Sequence, residues 1–381
     1  MPAPATPSDR TRIAAMRLMA QHLGATRSAS PVDAVRWMLA VQGQDLPGAK
    51  WSLGLRAHGS TEAAVDAALD AGAVVRSWPL RGTLHLVAAE DLAWLLALTG
   101  PRQISATAAR RRALGITPPD LERADAAVRA ALAGGRALPR DEVLAGIRAA
   151  GVATDGQRGY HLLLHLALAG TLVMGPTHGW GQTFALLDDW VRITPALNRD
   201  EALGRLALRY LQSHGPASDA DLARWAGITL GEARQGRAIC GAALATIQIG
   251  GTAYHLDPEV LERTAGGSRP AMTQVLLLPG FDEYLLGYGN RSAALAPEHA
   301  NRVVPGGNGL FRPTIVVDGE VVGTWSRSNR ARETHIILEL FDPVGTVPLD
   351  GRANAARAFG SFLGQQARIA SGGPAERNTT P

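Results

Sequence analysis

Cysteine and lysine are nearly missing from this chain of 381 residues, with one of each, Cys240 and Lys50. A lone cysteine excludes a disulfide framework or a cysteine-built zinc site within the chain. Its neighbours Ile239 and Leu244 suggest a buried structural thiol. Scarcity of lysine leaves nearly all the positive charge on arginine, a usage that a GC-rich genome explains. Long apolar runs are also missing. No stretch of roughly 18 apolar residues occurs, and the N-terminus has no basic segment followed by an apolar one. A cytoplasmic protein with no membrane partner is expected. Phosphate-cradling glycine loops are absent too: Lys50 lacks a preceding Gly-x4-Gly and a following Ser or Thr, and no Gly-x-Gly-x-x-Gly follows a strand. Nucleotide hydrolysis and dinucleotide cofactors are thereby disfavoured. His161 and His165 have metal-ligand spacing on one helix, but no acidic residue accompanies them. They read as core or DNA-facing histidines, and no metal is expected.

What is present is an ordinary globular composition, 46% hydrophobic and 19% charged. The length suits two or three domains of about 100 to 200 residues. The net charge of +4 and pI near 9.7 permit nucleic-acid binding without diagnosing it. Arginine's planar fork of donors matches phosphate and guanine edges.

Periodicity divides the chain. Residues 1–8 and 370–381 are rich in Pro, Gly and Ser and are expected to be disordered. A helix over 9–23, capped by Ser8 or Asp9, precedes a second that Ser30 caps ahead of Pro31, and a third opens at Thr61 and Glu62. Strands 74–78 and 82–87 then form a hairpin. Helices followed by a hairpin are the order of a winged-helix unit. The order recurs in helices 140–150 and 156–170 with a hairpin around a Gly-rich turn. It occurs again in helices 199–214, 218–225 and 229–240 with a hairpin turning at Gly250 and Gly251. From about 272 strands and turns dominate, Asp318-Gly319 marks another hairpin, and a helix over Ala353–Arg368 closes the chain. The predicted fold is α+β: three tandem winged-helix units (helix-turn-helix plus β-hairpin) at 9–98, 99–197 (a helical connector and the second unit) and 198–265, followed by a C-terminal β-rich domain at 272–369.

Val41 to Arg56, VQGQDLPGAKWSLGLR, carries the candidate chemistry. In an extended segment Gln42 and Gln44 point to one side. Gly43 favours that conformation, and Pro47 and Gly48 mark a helix yielding to a loop. Two amides on one small volume supply donors and acceptors without charge, which suits orienting a water or stabilising a cation. Asp45 is a candidate water activator, with a local turn as the alternative. Asp282 and Glu283 stand at a strand-turn junction, where a functional role and pairing with Arg291 or Arg312 are equally open. For Lys50, phosphate contact or a solvated loop is favoured over a Schiff base, since nothing in the sequence lowers its pKa.

Together these residues resemble the winged-helix DNA glycosylases that include AlkZ and YcaQ, over about 9–368. The resemblance rests on Gln42-Gly43-Gln44-Asp45, Arg76-Ser77-Trp78, Arg81-Gly82-Thr83-Leu84-His85, the run from Leu278 through Asp282, Glu283 and Tyr284 to Tyr288, and Phe311-Arg312-Pro313. It implies that Gln42 and Gln44 are the catalytic pair, although the family motif has an aliphatic residue where Gly43 stands. It also implies a monofunctional glycosylase acting on N-alkylated purines, including interstrand crosslinks, as a monomer on damaged double-stranded DNA without cofactor. Candidate DNA contacts are Lys50, Arg56, Arg76, Arg81, His85, Arg158, Arg234 and Arg237; Asp282, Glu283, Tyr284 and Arg312 are further motif residues. A non-catalytic tandem winged-helix regulator, which Gly43 favours, and a protein-interaction scaffold remain open alternatives.

Overall fold

The computed structural model describes residues 6–178, 181–191, 196–265, 274–307, 309–330, 333–342 and 347–370. Of the two ends expected to be disordered, 1–5 and 371–381 lie outside the described residues. Helix α1 (Pro7–Ala20) starts ahead of the expected cap, because Thr6 and Asp9 close a reciprocal capping box and Pro7 has no amide hydrogen to leave unpaired. Ser30 caps α2 (Pro31–Met38) as expected. Buried Leu39 then adopts a left-handed φ of 66°, a conformation unfavourable for leucine, and turns the chain into β1 (Ala40–Gln42).

The segment expected to become a loop at Pro47 and Gly48 is instead the first turn of a helix, α3 (Leu46–Arg56). Proline there disrupts nothing, since first-turn amides have no partner inside the helix. Next come α4 (Glu62–Asp70), β2 (Val74–Leu80) and β3 (Thr83–Ala88). The hairpin turns on Arg81 and Gly82, both at positive φ, 54° and 67°, the requirement of a tight two-residue turn. Strand β2 therefore runs on through Pro79, where the register slips between Ser77 and Leu80.

The chain continues through α5 (Ala89–Ala106), α6 (Ala108–Ala113), α7 (Pro118–Leu132), β4 (Leu138–Pro139), α8 (Arg140–Ala149), α9 (Arg158–Leu168), β5 (Leu172–His178), β6 (Gly181–Leu186) and α10 (Leu187–Trp190). It then forms α11 (Arg199–His214), α12 (Asp219–Ala226), α13 (Leu230–Cys240), β7 (Ala245–Ile249), β8 (Thr252–Leu256) and α14 (Pro258–Ala265). The remainder comprises β9 (Val275–Leu278), α15 (Glu283–Leu286), α16 (Ala300–Val303), β10 (Thr314–Val317), β11 (Glu320–Arg330), β12 (Glu333–Leu340), α17 (Leu349–Leu363) and β13 (Gln366–Ile369). Left-handed Gly364 ends α17, so the last part of the helix expected to reach Arg368 is a strand pairing parallel to β12.

The first two hairpins are not separate. They join through an Arg76–Met174 pairing into a six-stranded sheet ordered β1-β3-β2-β5-β6-β4, with the glutamine strand at one edge. A five-stranded sheet, β13-β12-β11-β10-β9, is formed by the C-terminal segment, while β7 and β8 pair alone. One hydrophobic core runs from α2, α3 and α4 directly into that C-terminal sheet and α17. Trp51 of α3 illustrates the join: its indole N–H donates to Leu277 O at 2.7 Å, and its ring packs edge-on to Phe359. Cys240, expected to be buried, is only half-buried, its thiol directed at Gly204 O and Gly236 O.

Candidate active site

The glutamine strand is held from three sides. Gln42 sits opposite His85 in the β1–β3 ladder and is 8% exposed; its side-chain Oε1 accepts from Arg81 at 3.4 Å. Gly43 N–H donates to Leu84 O at 2.7 Å, and exposed Gln44 accepts from Leu84 N–H at 3.4 Å through its Oε1. Both amide oxygens therefore contact the β2–β3 hairpin. Arg76 clamps the motif from beside it, donating to Gly43 O at 2.8 Å, to Gln44 O at 3.4 Å and to Gln182 Oε1 of β6 at 2.8 Å.

The third side is Glu283, fully buried. Its Oε1 accepts from Gln42 N–H at 3.0 Å, and its Oε2 from the Trp225 indole at 2.8 Å, with His214 Nε2 at 3.6 Å. Burial alone would raise its pKa, but the contact with His214 and the fields of Arg81 and His85 outweigh this and bring it to about 2. His214 is itself pushed down by burial, so Arg81 is the permanent cation in that field. Arg81 in turn donates to the carbonyl of Trp225. Burial takes His85 down to about 4, with Arg81 adding to the effect, so the imidazole under Gln42 is neutral at pH 7.

Asp45 occupies the N-cap position of α3 without making a side-chain cap bond, and is exposed. Its carboxylate lies over Gly48: a β-carbon there would come within 2.5 Å of Asp45 Oδ2. Gly43 is similarly confined, since a β-carbon would stand 3.3 Å from the β3 backbone at His85 and Leu86. Glycine lets β1 approach β3 this closely.

Other expected contacts fall elsewhere. Arg56 is 0% exposed, so no phosphate can reach it; it donates to both carboxylate oxygens of Asp282 at 2.9 and 2.8 Å and to Gln21 Oε1 at 2.8 Å. Asp282 thus pairs with Arg56, not with Arg291 or Arg312, and also accepts from Ser52 at 2.7 Å while capping α15. His85 is equally buried, with no surface to offer DNA. Lys50 is largely buried by ion pairs to Glu62, at 3.6 Å, and Asp66. Tyr284 is interior, donating to Gly319 O at 2.6 Å. Arg158 binds Ala153 O and Leu114 O at 2.9 and 2.5 Å. Arg237 donates to Asp219 at 2.7 Å, whereas Arg234 and Arg312 are exposed and distant in sequence from the glutamine site. His161 and His165 have no metal partners; among the described residues no cluster of His, Cys, Asp and Glu could hold an ion. Trp225, His214 and Gln182 were not anticipated, and no local sequence signal marks them.

The structure thus places an uncharged amide pair above a buried carboxylate that Arg81 and its neighbours compensate. The chain belongs to the AlkZ-like DNA glycosylase family, whose model matches residues 35–363. It is 28% identical over 328 residues to the interstrand DNA cross-link repair glycosylase of Streptomyces sahachiroi, covering 82% of this chain and 86% of that protein. The solved Streptomyces sahachiroi DNA glycosylase AlkZ superposes with a TM-score of 0.78 at 26% identity, over 94% of this chain and 99% of that one. Among the described residues no helix is long and apolar enough to cross a membrane.

Proposed function

We propose that this glycosylase hydrolyses the N-glycosidic bond of N-alkylated purines in damaged double-stranded DNA and unhooks interstrand crosslinks, as a monofunctional, cofactor-independent monomer. The observation that carries the reading is the neutral Gln42–Gln44 pair mounted on a buried ionised carboxylate. Alkylation at purine N7 or N3 makes the base cationic and already a good leaving group, so no strong acid is needed. As the bond to C1′ lengthens, positive charge grows on the sugar. An amide oxygen aimed at C1′ stabilises that charge, and its partner amide holds the attacking water. Glu283 lies one backbone bond beneath and adds negative potential. Asp45, the exposed carboxylate next in sequence, is proposed to take the proton of the water.

The sets α2–α4 with β2–β3, α7–α9 with β5–β6, and α11–α13 with β7–β8 read as winged-helix units around a duplex, with β9 to β13 as a β-rich C-terminal part. Within them Arg234 and Arg312 are proposed as DNA contacts, and Arg76 and Arg81 as residues that position the glutamines. The likeness to a crosslink repair glycosylase supports bulky substrates.

Release of an N7-alkylated base from duplex DNA tests the reading. The wild type is expected to excise it, and Gln42→Ala or Gln44→Ala to raise the barrier by about 3 to 4 kcal/mol, a loss of roughly two to three orders of magnitude. Equal inactivity of wild type and variants across several such lesions would sink it.

A further inference from the structure

A cavity of about 790 Å³ opens between α12 and the segment from Gly289 to Phe311. Both walls are tied to the glutamine site. Arg224 on one wall precedes Trp225, whose carbonyl receives Arg81 and whose indole binds Glu283. The other wall follows α15, which supplies Glu283 to the Gln42 amide.

The lining is cationic. Its described residues include Arg224 and Arg291 and no acidic side chain. Neither arginine has a carboxylate within ion-pair distance among the described residues. Asp221 is close enough to act on Arg291, but its Oδ1 accepts from Gly289 N–H at 2.8 Å and its Oδ2 from Ser218. Arg291 is half-buried, stacks 4.8 Å from the Phe311 ring and spends its Nε on Leu285 O at 2.8 Å. Its Nη2 is buried without a partner. Arg224 donates to Tyr288 O through Nη1 only. Arg224 is exposed beside the half-buried Arg291; two neighbouring guanidiniums repel each other unless an anion joins them, and a phosphate accepts from both forks. Asn290, Ser292 and Asn301 line the same cavity and add neutral donors.

We infer that this cavity seats one backbone phosphodiester of the DNA strand passing over the glutamine site, gripped by Arg224 and Arg291 together. The inference rests on the proposed function for the identity of the polymer. It concerns binding, so it is read on undamaged duplex without any excision.

Affinity is measured against salt for the wild type and for Arg224→Gln, Arg291→Gln and the double variant. Each single variant is expected to bind about tenfold more weakly and to lower the log–log salt slope by about 0.9, the value for one phosphate contact, with little further loss of slope in the double. Arg291→Lys keeps the charge and is expected to keep the slope. Because Arg291 also contacts Leu285 and Phe311, a second arm leaves the protein intact. Methylphosphonates placed singly along the strand should reveal one linkage whose neutralisation weakens the wild type but not Arg291→Gln. Unchanged affinity and slope in the glutamine variants, or identical methylphosphonate profiles for wild type and Arg291→Gln, overturn the inference. So does binding of inorganic phosphate that Arg291→Gln abolishes while DNA affinity stays unchanged, since that would assign the cavity to free phosphate. If the slope falls as expected but the wild type excises nothing, the proposed function fails and the phosphate site stands. If the wild type excises and the slope does not move, only the phosphate site fails.

Discussion

Around Gln42 and Gln44, two glycines sit close against their neighbours. Replacing Gly48 with Ala drives a β-carbon into the Asp45 carboxylate, a 2.5 Å approach that a side chain must relieve by swinging away. Excision by Gly48→Ala is expected to fall about tenfold, about 1.4 kcal/mol of barrier, while the folded content by circular dichroism is retained. An unchanged rate would remove Asp45 from the chemistry. Burial of neutral His85 gives a pH prediction at the same scale. Its pKa is about 4 in the folded state against an ordinary 6.5, so the unfolded chain takes up the proton first as pH falls. The stability tied to its neutrality is complete above about 6.5 and is lost between 6.5 and 4, on the order of 3 kcal/mol from such a shift. His22, also near 4, is lowered by burial in the same sense. Unfolding free energies measured at pH 7 and pH 5 should fall, and fall less in His85→Gln.

Most helices and hairpins were legible from capping residues and apolar spacing, because those signals are local. Thr61 caps α4, and Ser218 and Thr229 cap α12 and α13. The misreadings came where a local signal has two meanings. Pro47-Gly48 is a loop signature, yet it fits the first turn of a helix equally well, and packing of Trp51 decides between them. Gln42 and Gln44 could be picked out because they are adjacent. Trp225 and Gln182 could not be, and Glu283, although a candidate by its strand-turn position, could not be joined to the glutamines, since all three meet them only through the fold. Trp51→Ala tests the packing explanation of α3: losing this buried ring should cost about 3 to 5 kcal/mol in denaturant unfolding. A cost below 1 kcal/mol would mean the helix stands without the C-terminal sheet.

At the scale of the whole molecule, the N-terminal helices and the C-terminal segment share a core and a buried ion pair. Removing one partner of Arg56–Asp282 leaves an uncompensated interior charge, so Asp282→Ala is expected to cost about 3 to 5 kcal/mol. Arg56→Met with Asp282→Leu should recover much of that by denaturant titration, and failure to recover any would show that the pair does more than neutralise itself. The hydrogen bond from Gln42 to Glu283 spans 241 residues of sequence. That separation has a meaning in time as well as in space. A ribosome adding about 5 to 20 residues per second makes the glutamine strand roughly 10 to 50 s before the carboxylate that underlies it. During synthesis the motif is present but incomplete, and the nascent chain gains this arrangement only after Glu283 has been added.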